Sequence, residues 1–502
     1  MAHQRIHELF EQRLSEAPEQ VFLYLPDRQI TLAGLAILVD QLTDELRQEG
    51  VRPGDRVLVV AENCPEHVAL VLACSRVGAW ACGVNARMTA AEITAFVDKA
   101  DPRLIYYTTG VSQAARGHAA NCETHVSVLP GLHRSRAMAQ ATPETGPLAE
   151  QVAAVIFTSG TTGKPKGVMV SHGGLLQFGR VSSASRQLGP ADRSYAYLPM
   201  THIFGLGTVL MASLHARAGL LMRSHFDPAD VFDALAHHGL TQLQGPPAMF
   251  ARLLAWLDVQ GIRKPEAPHL KYLYTGAAPL DLSVKRAVEE RFDRPLHHGY
   301  GLSEYAGALT LSRLNEWRDD SSAGYLVDGA ELRIVDGNGH DVSRGETGEI
   351  WMRGAGLMPG YFRDPLINAE VMKPGGWYAS GDLGRQAEDG ALFVVGRLKE
   401  MIIRSGFNVY PGEVEAVLLD YPGVHKVAVA GRKAADGNED ILAFVEPAAG
   451  VSIDINGLRT HAHERLAPYK RPSIWRLVEQ MPMTHSGKVL KRALVEQLAV
   501  EG

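Results

Sequence analysis

Apolar residues recur in two spacings along the first 150 residues of this chain. Residues 32–50 follow Thr31 with apolar positions at helical spacing, and Gly50 is the expected stop of that helix. Residues 65–77 have the pattern of a second helix. Short apolar runs that are typical of buried strands occur at residues 56–60, 79–84 and 104–107. This alternation predicts layers of α/β structure around a mostly parallel sheet.

The last hundred or so residues have a different pattern. Pro411 is expected to begin a helix that ends before Pro422, and the residues beyond it predict a compact α+β domain. A chain of 502 residues is too long for one ordinary hydrophobic core. We therefore predict a large N-terminal domain over residues 1–396 and a smaller C-terminal domain over residues 397–502.

Composition excludes several classes of protein. The formal net charge is −6, so no sequence-wide basic field indicates nucleic acid. The N-terminus lacks a signal-peptide pattern and no apolar run approaches a membrane span, which favours a cytoplasmic location. His461 and His463 would point to different faces of a helix, so no metal set is expected there. Four cysteines without CxxC spacing are expected to be reduced and mostly to be packing residues: Cys64, Cys74, Cys82 and Cys122.

A loop of small, hydroxylated and basic residues follows a predicted strand at residues 153–157. Its sequence, TSGTTGKPKG over residues 158–167, combines glycine backbone, hydroxyl donors and lysines, which together suit a polyphosphate. It is not the P-loop of NTPases, because Gly160 and Gly163 are too close and no hydroxyl follows Lys164. A surface linker is the alternative. The groups offered to phosphate are Thr158, Ser159, Gly160, Thr161, Thr162, Gly163, Lys164 and Lys166.

This loop resembles the phosphate loop of the adenylate-forming superfamily, which includes acyl- and aryl-CoA synthetases, peptide-synthetase adenylation domains and firefly-type luciferases. Further segments resemble the family's motifs in the family's order. They are YLPMTHIFG (197–205), LYTGAAP (273–279), HGYGLSE (298–304), YASGDLG (378–384), GRLKEMIIRSGFNVYPGEVE (396–415) and PMTHSGK (482–488). The match therefore extends over nearly the whole chain.

The resemblance implies an acyl site around His202. A histidine in an apolar run is otherwise a packed core residue, which is the alternative here. Amino-acid-activating relatives usually carry an acidic residue at this position, so His202 argues against an amino-acid substrate. The neighbouring residues suggest an apolar pocket without a cationic partner for a second carboxylate, which leaves aryl and aliphatic acids open. The implied acyl residues are His202, Ile203, Phe204, Thr208, Gly276, Ala277, Ala278, Ala306 and Gly307.

The resemblance also implies a nucleotide site. Tyr300 would stack on adenine, Glu304 would bind Mg²⁺, and Asp382 would accept hydrogen bonds from the ribose hydroxyls. Ser303 replaces the usual threonine, and His298 stands where the family often has glutamine or asparagine. Besides the phosphate loop, the implied ATP and AMP residues are Gly276, Ala277, Ala278, His298, Gly299, Tyr300, Gly301, Ser303, Asp382, Arg397 and Lys488.

Two lysines carry the implied mechanism. Lys399 would be the hinge at which the C-terminal domain rotates between two half-reactions. Lys488, with Glu304, His202 and Thr158, would be catalytic: its cation would stabilise charge between the carboxylate and the α-phosphate. Lys488 also lies in a context that suggests a lysine acetyltransferase as a regulatory partner. The implied coenzyme A and hinge residues are Lys399, Ser405, Gly406, Phe407, Lys470 and Arg471.

The expected activity is therefore an ATP-dependent carboxylic acid:CoA ligase that forms an acyl-AMP intermediate. Its small-molecule partners would be ATP, Mg²⁺, coenzyme A and a fatty or aryl acid. A ligase that loads an acyl carrier protein would share the adenylation motifs, and so would a luciferase-like oxygenase. A degenerate nucleotide-binding regulator would be expected to lack Glu304 or Lys488, and both are present.

Overall fold

The computed structural model describes residues 4–159, 165–404, 407–433, 439–483 and 489–500. The chain forms two compact units: one contains Met1–Glu331 and Met352–Tyr378, and the other contains Leu332–Trp351 and Ala379–Gly502. The boundary after Gly396 that the sequence suggests stays a prediction. In the described ranges, no helix is both long enough and apolar enough to cross a membrane.

Helices occur throughout the described chain. The α-helices are α1 (Ile6–Glu16), α2 (Leu32–Gln48), α3 (Pro65–Val77), α4 (Ala90–Ala100), α5 (Gln113–Ala120), α6 (Pro147–Gln151), α7 (His172–Ser185), α8 (Ala212–Ala216), α9 (Pro228–His237), α10 (Pro247–Val259), α11 (Leu282–Phe292), α12 (Pro365–Val371), α13 (Pro411–Leu419), α14 (Ile455–Arg465) and α15 (Lys491–Val500). A π-helix spans Phe204–Met211, and 3₁₀ turns span Ser303–Tyr305, Leu398–Glu400 and Pro468–Lys470.

Most strands are short. They are β1 (Val21–Tyr24), β2 (Gln29–Thr31), β3 (Arg56–Ala61), β4 (Trp80–Asn85), β5 (Leu104–Tyr107), β6 (Thr124–Val126), β7 (His133–Ser135), β8 (Val152–Ser159), β9 (Pro165–Ser171), β10 (Arg193–Ala196), β11 (Gly219–Met222), β12 (Gln242–Gly245), β13 (Tyr272–Thr275), β14 (Leu296–Leu302), β15 (Gly307–Leu311), β16 (Tyr325–Leu326), β17 (Ala330–Val335), β18 (Gly348–Gly354), β19 (Met372–Lys373), β20 (Trp377–Gln386), β21 (Leu392–Arg397), β22 (Ile402–Arg404), β23 (Phe407–Val409), β24 (Val424–Lys433), β25 (Glu439–Pro447) and β26 (Ile474–Leu477).

Two large mixed sheets lie within the described part of the first unit. In one, the strand order is β16-β15-β14-β13-β12-β10-β11-β1-β2, and the run from β14 to β1 is parallel. In the other, the order is β6-β7-β5-β3-β4-β8-β9, and the run from β5 to β8 is parallel. Antiparallel strands complete both edges of each sheet. The predicted α/β architecture with a mostly parallel sheet is confirmed.

Local signals in the sequence account for the elements that were predicted. The Thr31 hydroxyl accepts a hydrogen bond from the Gly34 N–H at 3.0 Å and caps the start of α2. The helix ends at Gln48, two residues before the expected stop at Gly50. Every residue of Arg56–Ala61 is buried, as expected for a parallel strand that is covered on both faces. Pro411 occupies the first turn of α13, where its missing N–H costs no helical hydrogen bond.

The second unit contains a three-stranded sheet with apolar contacts on both faces. β24 pairs antiparallel with β25, and β26 pairs parallel with β25. Val429 and Ile441 pack with residues of α13 and α14, whereas Phe444 packs with Leu498 of α15. Side chains alternate between the faces of a strand, so one sheet buries both helical layers. The predicted α+β character of the C-terminal region is confirmed.

Candidate active site

The segments that carry the proposed chemistry follow the carboxyl ends of parallel strands in the first unit. β8 ends at Ser159, directly before the phosphate loop, and β10 ends at Ala196, directly before the segment with His202. β13 ends at Thr275, directly before the Gly276 turn. β8 belongs to the seven-stranded sheet, whereas β10 and β13 belong to the nine-stranded sheet. Ligands of α/β proteins bind at the carboxyl ends of parallel strands. The fold therefore places these three segments where a binding site is expected.

A β-hairpin holds the two ends of the phosphate loop together. Thr158 pairs with Lys166, and Ser159 pairs with Pro165, across β8 and β9. The Lys166 ammonium lies 5.0 Å from the centre of the Tyr361 ring, a cation–π contact. The rest of the predicted loop lies outside the described residues: Gly160, Thr161, Thr162, Gly163 and Lys164.

Glu304 accepts a hydrogen bond from Tyr361, which in turn meets Tyr378, and the sequence did not reveal either tyrosine as a site residue. The Tyr361 hydroxyl donates to Glu304 Oε1 at 2.7 Å and lies 3.0 Å from the Tyr378 hydroxyl. Burial, followed by the nearby Glu304 carboxylate, raises the pKa of Tyr378 far above its ordinary value. We refer to Lys166, Glu304, Tyr361 and Tyr378 as the Glu304 cluster. Tyr361 lies outside the motifs, and Tyr378 stands in YASGDLG without a distinguishing local signal.

The Glu304 carboxylate fits a Mg²⁺ ion that also binds phosphates. Glu304 is half-buried, and among the described residues its second oxygen accepts no hydrogen bond. The described chain contains no group of three or more His, Cys, Asp or Glu side chains that could hold a metal alone. Mg²⁺ characteristically takes one or two carboxylates and completes its shell with phosphates and water. The residues present fit an ion of that kind.

The predicted adenine residues lie on β14 and at its end. Tyr300 is half-buried, Gly299 is buried, and Gly301 is exposed. Ser303 is buried at the start of a 3₁₀ turn that also carries Glu304. His298 is buried, its Nδ1 lies 3.0 Å from the Ser322 carbonyl oxygen, and burial lowers the pKa of His298. The His298 imidazole is therefore already engaged with the backbone.

The turn after β13 presents small residues to solvent. Gly276 is buried, Ala277 is exposed and Ala278 is half-buried. Ala277 has a φ of 66°, in the left-handed region that a non-glycine residue rarely adopts. Such conformations cluster at ligand sites. The geometry is compatible with the predicted role of this turn as a surface for adenine and acyl groups.

His202 is not the packed core histidine of the alternative interpretation, because its side chain is exposed. The Phe204 N–H donates to its Nδ1 at 3.2 Å. The following residues form the π-helix, a rare geometry that is frequent at functional sites. Ile203, Phe204 and Thr208 are buried here. Phe204 packs edge-to-face on Tyr274 with ring centres 5.7 Å apart.

The opposite part of the predicted acyl region contains two unusual backbone conformations. Ala306 has a φ of 52° and Gly307 a φ of 149°. A Cβ atom at Gly307 would lie 2.3 Å from the ring of Phe178 on α7. Glycine is therefore required for this close approach. The contact joins Gly307 to the helix that packs against the π-helix.

A buried guanidinium lies beside Thr208 of this region, where the sequence offered no obvious cationic partner for a second carboxylate. Arg186 is 5% exposed, and its Nη2 donates to the Thr208 carbonyl oxygen at 2.6 Å. Its Nε donates to the Ser182 carbonyl oxygen at 2.9 Å. Burial lowers the pKa of Arg186 to about 10, so the group stays charged at neutral pH. An isolated arginine in SSASRQLG gives no sequence signal for this position.

The two predicted ribose residues form an ion pair in the second unit. Asp382 and Arg397 face each other across β20 and β21, with 3.1 Å between Arg397 Nε and Asp382 Oδ1. Asp382 is buried, and its N–H donates to the Ser380 hydroxyl at 3.0 Å. The carboxylate is thus fixed in position, as a bidentate hydrogen-bond acceptor requires.

Two of the predicted hinge and coenzyme A residues, Lys399 and Phe407, are exposed in the second unit. Lys399 is exposed in a 3₁₀ turn. Phe407 is 54% exposed and stacks on Tyr469 with ring centres 4.6 Å apart. Ser405, Gly406 and Lys488 lie outside the described residues, so their predicted roles stay predictions.

The two predicted phosphate-binding cations already have partners. Lys470 forms an ion pair with Glu413. Partial burial lowers the pKa of Lys470, but the contact with Glu413 outweighs it and the pKa is raised. Arg471 donates to the carbonyl oxygens of Leu466 and His463, each at 2.9 Å. Arg471 therefore caps the carboxyl end of α14.

The fold and the site together define an adenylate-forming enzyme. Residues 10–362 match the family model of the AMP-binding enzyme, and residues 413–488 match the model of the AMP-binding enzyme C-terminal domain. The chain belongs to the AMP-binding enzyme family, in its acyl- and aryl-CoA ligase group of acid–thiol ligases.

The alignments with similar proteins cover nearly the full chain. The chain is 32% identical over 487 residues to the indoleacetate–CoA ligase of Aromatoleum aromaticum, covering 94% of each chain. It is 32% identical over 468 residues to a feruloyl-CoA synthase of an Amycolatopsis species, covering 92% of each. The crystal structure of ATP-bound MatB from Rhodopseudomonas palustris matches with a TM-score of 0.88 and 26% identity over 99% of each chain.

Proposed function

We propose that this protein is an ATP-dependent carboxylic acid:CoA ligase that acts through an acyl-AMP intermediate. The observation that carries this proposal is the Glu304 cluster, in which Tyr361 orients a carboxylate beside the hairpin of the phosphate loop. Membership of the AMP-binding enzyme family supports it. Thr158, Ser159 and Lys166 would bind phosphates together with the remainder of the loop.

In the first half-reaction, a carboxylate oxygen attacks the α-phosphorus of ATP, and pyrophosphate leaves. The carboxylate is already a nucleophile, so the protein mainly positions it and neutralises charge. Lys488 would stabilise the charge that develops between the two reactants. A Mg²⁺ ion held by Glu304 and the phosphates would supply further charge neutralisation. The Asp382 carboxylate would fix the ribose by accepting hydrogen bonds from the two ribose hydroxyls.

In the second half-reaction, the thiol of coenzyme A attacks the acyl carbonyl carbon and AMP leaves. Rotation of the C-terminal domain about Lys399 would bring Gly406 and Phe407 to the acyl-adenylate. The exposed stack of Phe407 on Tyr469 offers an apolar surface for the arm that carries the thiol. Lys470 and Arg471 would contribute to the phosphate-binding surface of coenzyme A only by exchanging their present partners.

We propose that the substrate is an aryl acid. Phe204 and Tyr274 meet edge-to-face at the predicted acyl wall, and aromatic rings pack well on such edges. The two relatives described above are named for indoleacetate and ferulate, which both carry rings. His202 would stand at the entrance of this pocket, beside the π-helix.

Pyrophosphate release across a panel of aliphatic, aryl, hydroxycinnamic and amino acids tests this proposal. The reactions contain Mg-ATP and are run with and without coenzyme A. The expected result is release with aryl acids and formation of their CoA thioesters. Adenylate formation without CoA acylation would instead support a ligase that loads a carrier protein. ATP binding with no release for any acid would contradict the proposal and favour a regulator.

A further inference from the structure

One face of the nine-stranded sheet carries a row of buried polar side chains. Gln242 pairs in register with Ser194 and with Tyr272, and Gln244 pairs with Tyr274. Residues paired in this way on parallel strands project to the same side of a sheet. All five residues are buried. We refer to Ser194, Gln242, Gln244, Tyr272 and Tyr274 as the polar sheet face.

Several atoms beside this face have no hydrogen-bond partner in the described part of the chain. They are both amide atoms of Gln242, Oε1 of Gln244 and Nη1 of Arg186. Buried polar groups in native proteins are almost always paired with protein, water or ligand, because an unpaired group loses its hydration without compensation. A bound polar molecule or water would satisfy these four atoms, which belong to adjoining side chains.

Arg186 is fixed so that one amino group remains available. Its Nε and Nη2 are engaged by Ser182 and by the Thr208 carbonyl oxygen, and its guanidinium lies 5.9 Å from the centre of the Tyr272 ring. A guanidinium held by two of its three nitrogens presents the third in a defined direction. The remaining Nη1 is therefore a preorganised donor.

The polar sheet face adjoins the predicted acyl wall. Tyr274 contacts Phe204 of the π-helix, and Arg186 contacts Thr208 of the same helix. Along β13, Tyr272 precedes Gly276 by four residues, or about 13 Å at the usual rise of a strand. Tyr274, which pairs with Gln244, precedes Gly276 by only two residues, or about 7 Å. The hydroxyl of an extended aryl acid with its carboxylate near Gly276 would lie between these two positions, within reach of side chains from both.

We propose that Arg186, Gln242 and Gln244 form the far end of the acid pocket and select an acid with a hydroxyl group opposite its reacting carboxylate. The inference rests on the proposed function. A hydroxyl oxygen accepts hydrogen bonds from Arg186 and the Gln242 amide N–H, and its O–H donates a hydrogen bond to a glutamine side-chain oxygen. A second carboxylate has no proton to donate and would leave the glutamine oxygens unpaired. Water would occupy this position before the acid binds.

Three matched acids test the inference: 3-phenylpropanoate, 3-(4-hydroxyphenyl)propanoate and 3-(4-carboxyphenyl)propanoate. We expect kcat/KM for pyrophosphate release to be at least about tenfold higher for the hydroxyl acid than for the unsubstituted one, because an analogue without the hydroxyl leaves the buried groups unpaired. A ratio near one would overturn the inference. So would a preference for the acid with the second carboxylate.

Variants identify the residues responsible. Gln242→Leu and Arg186→Met should each reduce the ratio to within about threefold of one, because each removes a hydrogen-bond partner of the hydroxyl. Arg193→Met is the matched control, since the Arg193 guanidinium also lies over a tyrosine ring, that of Tyr24, and donates to the His238 carbonyl oxygen rather than to the acyl region. A ratio that survives in Gln242→Leu would overturn the inference, even if Arg186→Met fails to fold.

Failure of the proposed function gives a different result. In that case, no acid of the broader panel releases pyrophosphate. The inference is then tested by binding: the hydroxyl acid should raise the thermal midpoint of the wild-type protein more than the unsubstituted acid does. Equal shifts, or a larger difference in Gln242→Leu than in wild type, would overturn it.

Discussion

Among single residues, Tyr361 has the widest set of contacts with the predicted chemistry. Its hydroxyl donates to Glu304, its ring lies under the Lys166 ammonium, and its oxygen meets that of Tyr378. A partner that fixes a metal-binding carboxylate controls metal affinity even though it does not touch the metal. Tyr361 is thus a positioning residue for Glu304.

Tyr361→Phe should raise the Mg²⁺ concentration needed for half-maximal pyrophosphate release by about 10- to 100-fold, because the carboxylate loses its fixed orientation. The measurement is a Mg²⁺ titration at saturating ATP and acid. Tyr195→Phe is the control, since it removes a similar hydroxyl–carboxylate contact, with Asp230, at another place. An unchanged Mg²⁺ requirement in Tyr361→Phe would show that Tyr361 does not position Glu304.

Residues within contiguous motifs could be proposed from the sequence, whereas those added by tertiary contacts could not. Glu304 and Asp382 stand in recognisable strings, and the structure gives each a partner through a fixed contact. Tyr361 joins the site through its hydrogen bond to Glu304, 57 residues away in the sequence, and Arg186 through its hydrogen bond to Thr208, 22 residues away. No periodicity or spacing rule reports such pairings, and an isolated arginine resembles a surface residue.

At the scale of elements, α7 connects the parts of the acyl region. Its Phe178 ring lies against Gly307, and Arg186, which directly follows the helix, is hydrogen-bonded to Thr208 of the π-helix. Strands and α-helices of the first unit were predictable because burial and capping leave local patterns. The π-helix was not predictable, because the mainly apolar string FGLGTVLM fits an α-helix equally well.

Gly307→Ala should destabilise the protein by about 1–3 kcal/mol, because the new methyl group overlaps the Phe178 ring and the backbone has a positive φ. The measurement is the thermal midpoint by calorimetry. Gly117→Ala is the matched control: Gly117 lies in α5 with open space around it, so alanine should be neutral or stabilising by up to about 1 kcal/mol. Equal midpoints for the two variants would contradict the packing described.

At the scale of the whole molecule, the structure consists of two units whose members are not contiguous in sequence. Leu332–Trp351 belongs with the C-terminal residues, an association that depends on long-range contacts and leaves no local signal. The first unit also buries neutral histidines. Burial lowers the pKa of His67 to about 4 and the pKa of His172 to about 3.

These histidines predict a loss of stability in mild acid. A histidine whose pKa is near 4 in the folded state and 6.5 in the unfolded state is neutral in both states above pH 6.5, so the folded state there bears no cost for burying a charge. Its contribution falls as the pH drops below 6.5 toward 4, with about 2 kcal/mol lost by about pH 5. His67→Leu should therefore show a smaller fall in thermal midpoint than wild type between about pH 7.5 and about pH 5. His238→Leu, at an exposed histidine, is the control. Parallel midpoint curves for wild type and His67→Leu would contradict this.

The central claim is that a carboxylate attacks the α-phosphate of ATP. The most direct measurement uses an aryl acid labelled with ¹⁸O in both carboxylate oxygens and mass spectrometry of the nucleotide product. Acyl-AMP formation followed by transfer to coenzyme A predicts AMP with one ¹⁸O and a thioester that retains the other. Unlabelled AMP, or ADP with phosphate in place of AMP, would contradict the account.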